Sequence, residues 1–520
     1  MPGRDRFEAP ASQLSVRVAH LRIEGAFPDM AETGEALKTA VEGKRLTVTE
    51  IFKLAQHLEE AYARAGYVLA RVVVPPQTLH NDCTLRFVVV DGFIETVDVT
   101  AVPEHMRAVV LSYTESLAGR PHITLQEIER ALLIAGDIAG LALKSALARG
   151  SREGGALLIL EGRHQPVTVV LGLDNTLPAS LGSWNRSASV SFNSPSGHGE
   201  QIYASTALGD PLTDLPDLAS PLRLFGGGAI LPVGRDGWLV NPEYTRSLTR
   251  PFVGDDGIAE HGLFERILVR TSYPLIRTRS RSLLIDGAVA HITQRMDAPE
   301  FATRLSEDRY TVFRIGGSLG EHLSGGASLR VAGHISRGIG GRSPHEAASS
   351  GIPLSRQEAE PVFTKIDAIV QLMWPLPDGV QLEIIGKGQL SFADALLRPE
   401  QFALDGRDAV ATLPDDPLTV DEGMTVRAEL SRAIGLEGSS GTMILVPYVF
   451  GAAGWGRLNA PTVLEASMLS TASVGAGLRS VRERDDGSGI VLTIEIARRF
   501  SDDAENSDGW HAGVSTNIQF

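Results

Sequence analysis

The sequence predicts two tandem α+β modules followed by an all-β transmembrane barrel of about 16 antiparallel strands. Three observations carry this reading. A helix-start signal with its following strands occurs twice in the first third of the chain. Beyond Pro166 the helical period gives way to alternation of apolar and polar residues. The alternating segments run to about ten residues, the length a tilted membrane strand needs, where soluble strands average about five or six.

The first signal is Thr47-Val48-Thr49-Glu50-Ile51. It is a capping box, in which the threonine oxygen caps a free N–H of the first turn and the glutamate reaches back. Ile51, Leu54, Ala55, Leu58 and Tyr62 then recur at helical spacing, and Gly66 supplies the stop. Two β-rich runs follow, Leu69 to Val74 and Thr84 to Val90, the second ending in Asp91-Gly92. The second box, Thr124-Leu125-Gln126-Glu127-Ile128, opens a helix with Ile128, Ala131, Leu132 and Ala135 inward. A strand from Ala156 to Leu160 closes on Glu161-Gly162. The modules are placed at 14–92 and 93–165, and the barrel at 166–520.

In the barrel region Ala188, Val190 and Phe192 oppose Ser187, Ser189, Ser191 and Asn193. Leu329, Val331 and Ile335 oppose Ser328, Arg330 and His334, and Val380, Leu382, Ile384 and Leu390 oppose Gln381, Glu383, Lys387, Gln389 and Ser391. Leu492, Ile494 and Ile496 alternate with Thr493 and Glu495. A soluble sandwich would turn the apolar face to a core. A membrane barrel turns it to lipid and the polar face to a wet lumen, and strand length favours the barrel. Long inserts at Leu208–Ser220, Ser336–Glu358, Arg398–Glu422 and Ser501–Gly509 suit extracellular loops, and the chain ends on an alternating strand closing at Phe520.

Composition narrows the function classes. The formal charge of 48 − 63 = −15, with signs interspersed, gives no nucleic-acid footprint. A single cysteine, Cys83, excludes an intramolecular disulfide framework, and its expected place is a turn between module strands. The 13 histidines show no paired metal-ligand spacing, and no phosphate-binding loop is visible, so neither metal nor cofactor is expected. No apolar run reaches the roughly 20 residues of a membrane helix. Met1 to Ser15 lacks the apolar centre of a secretory signal. Gly316-Gly317-Ser318-Leu319-Gly320 matches a hydrolase elbow, but alternating segments flank it and no helix follows, so chance in a glycine-rich chain explains it.

These residues resemble the outer-membrane transporters of two-partner secretion, the hemolysin secretion/activation family. In the first module the resemblance rests on Leu46-Thr47, Tyr62, Gly66-Tyr67, Ala70-Arg71, Val74-Pro75-Pro76-Gln77 and Val90-Asp91-Gly92, with aspartate in place of the usual glutamate. The second module contributes Gly136-Asp137 and Gly140. The barrel contributes Leu173-Asp174-Asn175, Gly182, Asn193, Pro195, Gly197, the run Ser272 to Ser280, Gly388-Gln389 and Leu396 to Phe402. The resemblance implies two periplasmic polypeptide-transport-associated (POTRA) modules before a 16-stranded barrel. It also implies a large secreted partner exoprotein, outer-membrane lipids and the barrel-assembly machinery as partners. Tyr67, Arg71, Pro75, Pro76 and Gln77 become candidate substrate-binding positions, and Phe520 a barrel-assembly signal.

The family's inward-folded loop carries a Val-Arg-Gly-Tyr motif whose arginine pairs with an aspartate of a Phe-x-Asp-x-Gly wall motif. Here the corresponding loop positions are Gly406, Arg407, Val410 and Ala411, with Ala411 in the arginine's place. The wall positions are Phe450, Ala452 and Gly454, with Ala452 in the aspartate's place. Losing one partner of a buried pair costs about 3–5 kcal/mol, whereas losing both can be nearly neutral. The loop is therefore expected to be held differently or not at all, with Arg407 as the candidate substitute. Ala411→Arg with Ala452→Asp is expected to be more stable than either single change if the old geometry survives. The family's amino-terminal plug helix has too few residues before the first strand, which points to an incomplete start or to a chain without a plug.

The function implied is capture of an unfolded partner by strand addition to an open module edge, then non-enzymatic export through the barrel. The alternatives are an assembly factor for other barrels, a passive pore with a diverged gating loop and, most remotely, a soluble hydrolase.

Overall fold

The computed structural model describes residues 15–211, 220–253, 257–411, 418–438, 441–463, 465–484, 487–502 and 509–520. The expectations about a leader and plug fall on residues 1–14, outside the described residues, as do parts of three expected loops at 212–219, 412–417 and 503–508. The chain divides into Met1–His164 and Gln165–Phe520.

The first unit holds two sheets. Strands β1 (Ser15–Glu24), β2 (Arg45–Thr47), β3 (Arg71–Val73) and β4 (Cys83–Val90) lie in the order β2-β1-β4-β3, with β1 parallel to β4. Helices α1 (Ala31–Val41) and α2 (Val48–Arg64) complete this module. The α2 residues Ile51, Ala55, Leu58 and Tyr62 are buried in one cluster with Val18, Leu21, Leu85 and Phe87. Strands β5 (Phe93–Ala101), β6 (Leu141–Arg149) and β7 (Gly155–His164) lie in the order β5-β7-β6, with helices α3 (Glu104–Thr114) and α4 (Leu125–Gly136).

Both capping boxes form. Glu50 N–H donates to Thr47 Oγ1 at 3.2 Å and Thr47 N–H to Glu50 Oε2 at 2.7 Å. The Thr124 and Glu127 pair repeats the arrangement. Thr47→Ala and Thr124→Ala are each expected to cost about 1 kcal/mol, read as an earlier denaturation midpoint for the modules. The hydrogen bonds from Thr47 hold the Glu50 carboxyl below its ordinary value of 4.5. A folded value below the unfolded one means that this contribution is present above about pH 4.5 and fades as pH falls further.

Two helices carry no such signal. Neither α1, behind Met30, nor α3, behind Pro103, has a side-chain cap. Cys83 corrects another expectation: it is the first residue of β4 and is buried, because its side chain points into the first module. The run from Leu69 to Val74 yields only a three-residue strand.

The second unit is a closed antiparallel barrel of 16 strands. It runs from Val167–Asp174 to Gly509–Gln519, and these two pair to close the ring. The twelfth strand is interrupted, as Glu422–Arg432 and Ile434–Gly438. Alternation sorts the faces. Leu390, Ile494 and Ile496 are exposed on the outer wall, whereas Gln389 is buried in the interior. The hydrolase-like run Gly316 to Gly320 lies inside the extended eighth strand, Thr303–His322, so no nucleophile elbow exists there.

Candidate functional site

The connection between the eleventh strand, Val380–Leu390, and the twelfth packs residues into the barrel interior. Leu396 and Leu397 are buried in a cluster with Tyr310 and Val312 of the wall and Ala347, Leu354 and Phe363 of the connection after the ninth strand. A loop buried in this way must satisfy its polar groups internally.

Glu400 is the centre of the largest anchor. It is 1% exposed. The guanidinium of Arg314, on the eighth strand, donates to both its carboxylate oxygens at 2.7 and 2.8 Å. Lys365 Nζ, on the tenth strand (Thr364–Pro375), lies 2.9 Å from Oε2, and Tyr310 Oη donates at 3.0 Å. Lys365 Nζ and Gln389 Nε2 also donate to the Glu400 carbonyl.

A second anchor forms at the loop's far end. Arg356 Nη1 donates to Asp421 Oδ1 at 2.6 Å, and both side chains are buried. Asp421 also accepts from the N–H groups of Leu396 and Asn459 at 3.0 and 2.7 Å. Three separate connections are thereby tied to one carboxylate.

The motif positions lie deeper in the loop. Gly406 has φ +132°, and its N–H donates to the Val410 carbonyl in a tight turn. Ala411 N–H donates to Ser473 Oγ at 3.1 Å, and Ala411 packs with Tyr448, Phe450 and Ala497. The loop therefore does reach the wall carrying Phe450, Ala452 and Gly454. A Cβ added at Gly454 would meet Val410 Cγ2 at 3.4 Å, so the glycine admits the loop. Arg407 does not replace the missing arginine. It is exposed and makes no ion pair among the described residues, while its neighbour Asp408 lies 3.7 Å from Lys387 Nζ.

Beside this loop the wall carries its own ionic network. Arg427 reaches Glu495 at 2.8 Å and lies over the Phe450 ring at 3.5 Å. Arg479 reaches Glu429 at 2.8 Å, and Tyr448 Oη donates to Glu495 at 2.9 Å. Arg427, Glu429, Tyr448, Arg479 and Glu495 line a cavity of about 740 Å³ that Arg407, Asp408 and Ala411 also border.

In the first module the five candidate positions act mostly on the module itself. Tyr67 Oη donates to Asp29 at 3.0 Å, and its ring stands edge-on to Phe27. Arg71 donates to the carbonyls of Val68 and Ala70. Pro75 and Pro76 follow the end of β3, and Gln77 then exchanges two hydrogen bonds with the backbone of Arg86. Gln77 thus covers the β4 edge where β3 stops. The Val72 N–H of β3 is taken by Glu59 Oε2 at 3.0 Å. The backbone of Phe520 exchanges hydrogen bonds with Val169 and completes the seam between the last and first strands.

Sequence reasoning missed Glu400, Arg314, Lys365, Arg356 and Asp421. A weak signal existed in Ala395-Leu396-Leu397, an apolar run inside a loop, which implies burial and hence a need for internal partners.

Residues 154–480 match the family model for haemolysin secretion/activation protein ShlB/FhaC/HecB, and residues 16–92 that for the ShlB-type POTRA domain. The chain is 22% identical over 393 residues to outer membrane transporter CdiB of Escherichia coli, across 74% of this chain and 64% of that protein. It is 24% identical over 402 residues to hemolysin transporter protein ShlB of Serratia marcescens, across 75% and 68%. The chain thus spans a little under two thirds of the first of these relatives. The solved structure of CdiB from Escherichia coli superposes with a TM-score of 0.80 at 18% identity, covering 99% of this chain and 92% of that one. CdiB from Acinetobacter baumannii gives 0.69 at 16%, covering 97% and 90%. At these identities the likeness to solved structures is one of fold.

Proposed function

The chain belongs to the haemolysin secretion/activation protein family ShlB/FhaC/HecB, and on that premise we propose that it exports one large unfolded partner protein through its barrel. The family's members are transporters, with the barrel in the outer membrane and the POTRA modules in the periplasm. In this reading the modules occupy 14–92 and 93–165, the barrel occupies 166–520, and the process is non-enzymatic. Folding of the partner outside the cell drives export. Lipid surrounds the outer wall, and Phe520 serves the machinery that assembles the barrel.

The observation that supports partner capture most directly is the edge of β6. This nine-residue strand is one of the two outer strands of its sheet, with most of its residues exposed, whereas the other, β5, has Ile94 bridged to Ala118. The first module's outer strands have three residues each, and one of them has an N–H already occupied by Glu59. A long, unpaired edge is a template for an added strand. Tyr67, Arg71, Pro75, Pro76 and Gln77 contribute by closing the competing edge. Photocrosslinkers at Ser145 and Leu147 are expected to trap the partner in transit, and one at Val73 is not. Equal trapping at all three would remove β6 as the docking edge.

The function itself is tested by comparing surface and secreted proteins in cells with and without the gene. Loss of one large protein, with other barrels at normal levels, is the expected result. A general fall in outer-membrane proteins would mean an assembly factor, and no change would mean a passive pore.

A further inference from the structure

Arg499, on the fifteenth strand (Gly489–Ser501), is the most anomalous side chain in the barrel. It is 1% exposed, the largest of the fully buried side chains, and none of its three guanidinium nitrogens has a hydrogen-bond partner. A buried guanidinium keeps its charge, since it does not deprotonate in proteins. An uncompensated one is strongly unfavourable. Such a group calls for an anion.

One anion is close enough to act on it. Asp405, on the inward-folded loop just before Gly406, acts on Arg499, and it is bridged to Val410, the neighbour of Ala411. Asp405 is itself buried, and its Oδ2 is also without a partner. The two groups are thus near one another, and no hydrogen bond or ion pair joins them. The setting is the wall against which the loop already lies. Arg499 pairs in register with Ser473, whose hydroxyl accepts from Ala411 N–H. Ser473 in turn pairs in register with Ala452.

We propose that Asp405 and Arg499 are the two halves of a latch for the inward-folded loop, and that Arg499 is the positioning residue on the wall. Its polarity is the reverse of the pair that Ala411 and Ala452 have lost: the carboxylate sits on the loop and the guanidinium on the barrel. A movement of the turn at Gly406 toward the wall closes the pair. Glu400 has the same polarity, being a loop carboxylate held by wall cations. The latch differs in being unmade, and so free to make and break without disturbing the loop's base.

The inference takes from the proposed function only that this loop obstructs the lumen, and its test needs no partner protein. The full chain is reconstituted in planar bilayers, and opening events are counted for the wild type, Asp405→Arg, Arg499→Asp and the double exchange. Each single change leaves two like charges facing each other and is expected to raise the opening frequency about tenfold, the scale of a charge-pair coupling. The double exchange is expected to return to near the wild-type value. A double exchange no closer to wild type than the singles overturns the latch. Where Arg499→Asp fails to assemble, Asp405→Asn and Arg499→Gln keep the shapes and remove the charges. Raised opening in both supports the pairing, and an effect in Arg499→Gln alone overturns it. Failure of secretion with normal gating would count against the export reading and leave the latch standing.

Discussion

Glu400→Ala is expected to destabilise the folded barrel by about 3–5 kcal/mol, the cost of breaking a buried ion pair by removing one partner. The carboxylate neutralises Arg314 and Lys365 and accepts from Tyr310, so its removal leaves two cations and a hydroxyl with nothing between them. A measurable consequence is a lower temperature for the shift in gel mobility that marks barrel unfolding. Reaction of a cysteine placed at Gln401 with a bulky thiol reagent should also become faster as the loop lifts away. Glu400→Gln retains the shape and one acceptor and should fall between the two. If Glu400→Ala unfolds at the wild-type temperature, the loop is held by its apolar contacts and by Asp421 alone.

Ala452→Asp and Ala411→Arg are expected to have opposite effects. Position 452 pairs in register with Arg427 on one side and Ser473 on the other, and the next residue in that row is Arg499. A carboxylate there would sit among cations, both of which have unpartnered nitrogens. Ala452→Asp is therefore expected to be neutral or to stabilise by about 1.5–3 kcal/mol, as hydrogen bonds to charged groups do. Position 411 is buried beside Ser473 and Phe450, on whose ring Arg427 already lies. Ala411→Arg adds a further buried cation to this region and should cost several kcal/mol, with the double mutant intermediate. This ordering differs from the one the family pattern alone suggests, in which the double mutant is the most stable. The difference arises because Arg427 and Arg499 lie in the same row of the wall as position 452. The same unfolding series decides between the two orderings.

The parts of the fold legible in the sequence were those set by local chemistry. Thr47 with Glu50 and Thr124 with Glu127 mark helix starts because a cap is a contact between near neighbours. Strand faces were legible because period two shows directly in residues such as Gln389 and Leu390. Helix α1, behind Met30, escaped because nothing caps it. The loop anchors escaped for another reason. Glu400 lies 86 residues from Arg314, and Asp421 lies 65 from Arg356. Their meeting depends on barrel register and loop path, which no short window of sequence encodes. That positions 411 and 452 carry alanine was legible, whereas the burial of Arg499 and Asp405 near them was not. The identity of a residue is a local fact, while its partners lie elsewhere in the chain.

The strands of the barrel are unequal, with 8 residues in Val167–Asp174 and 20 in Thr303–His322. At about 3.4 Å per residue and a tilt near 45°, these rise about 19 Å and 48 Å along the membrane normal, against an apolar band of about 25 Å. The bilayer therefore meets a different thickness on each flank. Around the first strand the acyl chains must shorten to match, at a fraction of a kcal/mol per ångström. Around the eighth the wall outreaches the lipid, and the surplus stands clear of the membrane as a one-sided parapet.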